Sequence, residues 1–177
     1  FPLNLCKMPT IIEWHIRKLT LMATHVKLSD IIEGMEFQSD ESSSFLNKKT
    51  GEVVLMTDYA LRAAEDNEPL EDLPDWERDL VTIAREILDE TGEYIQLPTK
   101  FDIHEYSIME QFCLSLDDPE MCNIFCDLIR GGGAFRRFKN AIHEYDIADE
   151  WYSHHNNAIK EIAIEWCREN NIEFDEV

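Results

Sequence analysis

The stretch "SFLNKKTGEVVLM", residues 44–56, decides the fold class, because most of what surrounds it carries helical periodicity. Two short apolar runs flank Lys48 to Gly51, and the second is rich in Val and Leu. This is the pattern of a β-hairpin: a short strand, a turn at Lys48 to Gly51, and a return strand. Further on, "EYIQLP" at 93–98 reads as a third strand, stopped by Pro98, which has no N–H to give to a ladder.

Working outward, Ser29 is placed to cap a short helix from Asp30 to about Phe37, and "QSDESSSF" breaks it. "TDYALRAAEDNEPLED" reads as a short helix followed by an acidic loop. Pro74 suits a helix start, where its missing N–H does no harm. Trp76, Leu80, Ile83, Ala84 and Ile87 then recur at helical spacing until about Gly92.

Beyond residue 99 the chain reads as helix throughout. Asp102 and Glu105 have capping-box spacing for a helix to about Leu116. Asp118-Pro119 opens the next, with Cys122, Phe125 and Ile129 on one side and Gly131 as its terminating glycine. Phe135, Phe138 and Ile142 form the inward stripe of a third. The last runs from about Ile147 to Asn170 with Trp151, Ile159, Ile162 and Trp166 inward. The sum is α+β: a small antiparallel sheet of about three strands, hairpin plus one strand, with a helical C-terminal half of about four helices.

The chain has 177 residues and a formal net charge of −21, with 44% hydrophobic residues. That composition supports a real core without disulfides or a metal, and argues against disorder. Residues 22–177 read as a single acidic α+β domain. Residues 1–21 read as an N-terminal extension: they hold one acid, Glu13, and three bases. Residues 30–129 hold 26 acids against 6 bases. Such a surface repels nucleic acid and anionic membrane, so no general nucleic-acid coating and no membrane association are expected. With no signal-peptide pattern or long apolar span, and with cysteines that are odd in number and irregularly spaced (Cys6, Cys113, Cys122, Cys126, Cys167), free thiols and a cytoplasmic location are expected.

Against this acidity one segment stands out. "DLIRGGGAFRRFKNAI", residues 127–142, places Arg130, Arg136, Arg137 and Lys139 within ten residues, beside Gly131, Gly132 and Gly133. A helix starting at these glycines would offer unpaired N–H groups and its dipole to an anion. Trp151 and Tyr152 are candidate aromatic walls. The expected ligand is a compact anion, either a phosphorylated molecule or a protein carboxylate. A tight turn whose cations neutralise nearby acids is the competing explanation. The segment is neither a Walker loop nor a dinucleotide fingerprint.

Other constellations are weaker. His143, His154 and His155 lie near Glu144, Asp146, Asp149 and Glu150, but without HExxH or paired ExxH spacing. Cys122 and Cys126, four apart on a helix, lack common zinc geometry. No metal, no cofactor and no catalytic set are expected. The acidic stretches read as solvated loops. The expected function is a non-enzymatic binding or regulatory module. The alternatives are an enzyme acting on a phosphorylated small molecule and a structural partner protein that uses its acidic face.

"KLSDIIEGMEFQSDES", "NKKTGEVV", "YIQLP", "IMEQFC", "IRGGGAFRRFKNAI" and "EWY…AIKEIAIEWCREN" occur in this order. In this the chain, over roughly residues 25–174, resembles a bacterial uncharacterised protein family (uncharacterised protein family 0158). RGxGAFRRFK followed by WY is the most specific part. The resemblance implies a small, soluble, bacterial, cytoplasmic protein and makes the glycine-to-basic segment a family hallmark. It implies no activity and no catalytic residue.

Overall fold

The computed structural model describes residues 25–89 and 92–176. The extension read at 1–21, with Cys6, lies outside the described residues. The hairpin forms as expected. Strand β2 (Ser42–Asn47) pairs antiparallel with β3 (Val53–Thr57), placing Phe45 opposite Val54 and Leu46 opposite Val53. The Asn47 side chain builds the turn: its Oδ1 accepts from the N–H of Lys49 (2.9 Å) and of Thr50 (3.2 Å). Gly51 closes the turn at φ +78°, where a side chain would strain the backbone. Strand β4 (Tyr94–Gln96) adds to the other side of β2, so the order is β3-β2-β4.

The period-two alternation of these strands separates two cores. Leu46, Val53 and Ile95 share one face and join the larger cluster. Phe45, Val54 and Met56 face the other way and join the smaller one. The first face is covered by α1 (Leu28–Glu36), which lies close enough to exclude any side chain at Gly34. A Cβ there would stand 2.6 Å from Val53 Cγ1 and 2.8 Å from Leu97 Cδ1. The buried Ser44 hydroxyl donates to the Gly34 carbonyl at 2.7 Å, satisfying a polar group between helix and sheet. The second face is covered by α2 (Asp58–Glu65) and α3 (Asp75–Leu88), whose Ala60, Ala63, Ala64 and Ala84 permit close packing.

The remaining elements are helices α4 (Lys100–Ile103), α5 (Glu105–Leu114), α6 (Pro119–Leu128), α7 (Ala134–Glu144) and α8 (Ala148–Glu169), all but the short α4 more than two turns long. Their shared core is a chain of edge-to-face aromatic contacts, the geometry aromatic rings prefer. Phe138 meets Phe112, Phe125 and Trp151 at centroid distances of 5.9, 5.9 and 4.7 Å.

Several expectations need correction. Helices are not confined to the C-terminal half, since α1, α2 and α3 flank the sheet on both faces. A short parallel pair, β1 (Val26–Lys27) with β5 (Phe174–Asp175), had no sequence signal, because two residues are too few to show a period. Ser29 is not the cap of α1, which already begins at Leu28; its hydroxyl donates to Asp30 instead. The capping box lies one turn earlier than read, between Thr99 and Asp102. His104, at φ +50°, then divides α4 from α5. Trp76 is 69% exposed and Phe135 45% exposed, so neither belongs to the inward stripe of its helix. Ile162 and Trp166 are half-buried, and the buried face of α8 is Trp151, Ile159, Ala163, Ile164 and Cys167. No helix among the described residues is long and apolar enough to cross a membrane.

Candidate functional site

The glycine-to-basic segment joins α6 to α7. Gly131 and Gly133 both take positive φ, +74°, which lets α6 end and α7 begin within five residues. The cations there are largely engaged by their own chain. Arg137 reaches back across the turn: Nε donates to the Leu128 carbonyl at 2.9 Å, Nη1 to Gly132 at 2.6 Å and Nη2 to Arg130 at 2.6 Å. The Leu128 carbonyl is one that a helix C-terminus leaves without a partner, the other two belong to the turn, and a planar guanidinium can serve all three at once. Arg130 pairs with Asp127 at 2.8 Å, with both side chains well exposed. The Lys139 ammonium lies 5.2 Å from the centroid of the Phe135 ring. Arg136 is exposed, and no carboxylate among the described residues pairs with it. Trp151 is 3% exposed within the aromatic core, so it does not wall a surface, while Tyr152 is 44% exposed. The segment commits Arg137 to closing the turn, while Arg130 and Lys139 each engage a near neighbour in sequence.

A larger concave surface lies elsewhere. It runs between the Phe112–Met121 stretch, where α5 hands over to α6, and the first half of α8, and encloses about 760 Å³. Leu116 and Met121 supply apolar surface over the buried Phe112 and Ile147, and Ser153, His154 and Asn157 supply polar groups. Asp117, Asp118, Asp149 and Glu150 complete the lining, and no Lys or Arg is part of it. The acids have local reasons to be there. Asp118 caps α6 by accepting from the Glu120 N–H at 2.8 Å, and Asp149 and Glu150 stand in the first turn of α8, where the helix dipole favours negative charge. Two helix starts meeting at one groove therefore concentrate four carboxylates beside an apolar surface. Sequence reading missed this, because Asp117-Asp118 and Asp149-Glu150 are separated by two helices. The only legible signal was that each pair precedes or opens a helix.

His154, which lines this groove, is followed on α8 by His155, which faces Glu105. His155 Nε2 lies 3.1 Å from Glu105 Oε1, and the Trp151 ring lies against it. The hydrogen bond to Glu105 raises the His155 pKa above 6.5, partly opposed by burial; Asn156 on the same helix and Glu36 on α1 push in the same direction as Glu105. A raised histidine stabilises the fold fully below the unfolded pKa and loses that contribution as pH rises through the folded one. The melting temperature is therefore expected to fall as pH rises above about 6.5, and His155→Gln should flatten that fall. An unchanged pH profile in the variant would show that the pair contributes nothing. His154 Nε2 and Glu105 Oε2 are buried with no hydrogen-bond partner among the described residues.

Burial pushes the Cys113 thiol up to about 12 and the Cys167 thiol up to about 11, which disfavours the nucleophilic thiolate. Cys126, hydrogen-bonded to Cys122, is also raised, chiefly by burial. Among the described residues no group of three or more His, Cys, Asp or Glu side chains is placed to hold a metal ion.

Compared with known proteins, the chain matches the model of an uncharacterised protein family (UPF0158) over residues 21–176. No curated protein and no solved structure matches it.

Proposed function

We propose that this chain, which belongs to the uncharacterised protein family UPF0158, is a non-enzymatic binding module that takes up a basic, partly apolar segment of a partner protein. The observation that carries this is the α5–α6/α8 groove, with apolar surface, four carboxylates and no cation in its lining. A segment carrying Lys or Arg beside Leu or Ile is its chemical complement. Apolar burial supplies affinity, and the acidic rim supplies orientation and encounter rate.

Calorimetric titration with a short amphipathic lysine–leucine peptide tests this. The wild type binds it, and a glutamate–leucine peptide of the same pattern does not bind. Replacing Asp149 by Asn and Glu150 by Gln weakens binding about three- to tenfold, in keeping with two exposed charges. Added salt weakens the wild type more than the variant. Equal binding of both peptides, or no effect of the double replacement in a protein of unchanged melting temperature, contradicts the reading.

A second reading keeps an anion surface at Gly131–Lys139. It is supported by Arg136, exposed beside the first-turn N–H groups of α7, which lack intrahelical partners. It would use Arg136, Arg130 and Lys139 rather than Arg137, and it predicts phosphate binding that Arg136→Gln abolishes.

A further inference from the structure

Trp76 occupies the first turn of α3, yet it is 69% exposed. Burying an indole is among the largest apolar gains available to a chain, so an exposed one beside a cavity marks a contact surface. The cavity is a notch of about 450 Å³, shared by Trp76 and Leu80 with Tyr59 from α2, itself 50% exposed. Glu41, Asp58 and Glu77 line the same notch, and the Tyr59 phenol is raised first by desolvation and then by the charges of Glu68 and Glu77. The one base in the lining, Arg62, pairs with Asp58 at 3.7 Å. Two aromatic faces and an excess of carboxylates select a cation carried on an apolar stem.

We infer that this notch is a docking site for an arginine side chain of a partner protein, its guanidinium stacked on Trp76 and facing Glu77 and Glu41. Arginine suits the notch better than lysine because a planar, weakly hydrated guanidinium stacks on indole while its edge meets carboxylates. A side chain suits it better than a free cation because the aromatic surfaces stay half or more exposed. They cover one side of a ligand and leave the other open to a partner's backbone. The notch shares no residue with the α5–α6/α8 groove, so the inference does not depend on that site.

The experiment follows the Trp76 indole N–H resonance during titration of the full chain. The probes are a capped Gly-Arg-Gly peptide, its citrulline counterpart and spermidine. The arginine peptide is expected to shift the Trp76 resonance saturably, and the uncharged citrulline peptide to leave it in place. Trp76→Ala should weaken arginine-peptide binding about three- to tenfold, read from the Tyr59 resonances, and Trp76→Phe should restore most of it. Because Trp76 is exposed, the melting temperature of both variants should stay near wild type. An equal response to citrulline overturns the cation requirement. Spermidine saturating as tightly as the peptide overturns the side-chain source. A Trp76 resonance that moves with protein concentration alone makes a second copy of the chain the occupant and overturns the partner.

Discussion

Phe138→Ala is expected to lower stability by about 3–5 kcal/mol, the range for large aromatic truncations in a core. The side chain is fully buried and touches three other rings, Phe112, Phe125 and Trp151, contributed by α5, α6 and α8. Its removal leaves a cavity bounded by rigid rings, which collapse poorly into the space. Phe138→Leu should recover much of the loss, because it restores volume but not the edge-to-face geometry. Chemical denaturation of the two variants checks this. A cost below about 1 kcal/mol for the alanine variant would mean that the helical core is not organised around this side chain.

The second large effect is expected at Arg137. Replacing it with Gln should cost about 1–2 kcal/mol, since one partly buried and two exposed hydrogen bonds from a charged donor are lost, and the exposed carbonyls regain water. Arg137→Lys should cost nearly as much, because an ammonium cannot reproduce the fork that meets three carbonyls. Arg136→Gln, one residue away, should stay within about 0.5 kcal/mol, as exposed substitutions do. If Arg137→Gln proves as silent as Arg136→Gln, the turn is held by its glycines alone.

These two residues show what the sequence made legible. Phe138 could be placed in the core from helical spacing with Ile142. Phe135, three residues earlier, has the same spacing and yet lies 45% exposed, outside the core that Phe138 joins. Trp76 misled in the same way: Leu80, Ile83 and Ile87 meet the smaller core, but the stripe extends one turn past its edge. Periodicity gives a face; it does not say how far along a helix that face is covered. The hairpin was legible because its turn chemistry is local to Asn47 and Gly51. The role of Arg137 was not, because the carbonyls it serves become available only once α6 has ended and α7 has folded back. The acidic groove was hidden for a related reason. Each of its carboxylate pairs is an ordinary helix start, and only the packing of α8 beside α5 and α6 puts them together.

Mapping backbone amide shifts as the lysine–leucine peptide is added, and separately as inorganic phosphate is added, distinguishes the proposed acidic groove from the basic turn as the binding face. If the groove is the binding face, the peptide moves the amides of Leu116, Met121, Ser153 and Asn157 saturably while those of Gly131 to Lys139 stay in place, and phosphate moves neither set. Shifts confined to Gly131–Lys139, with phosphate as the effective ligand, would contradict it.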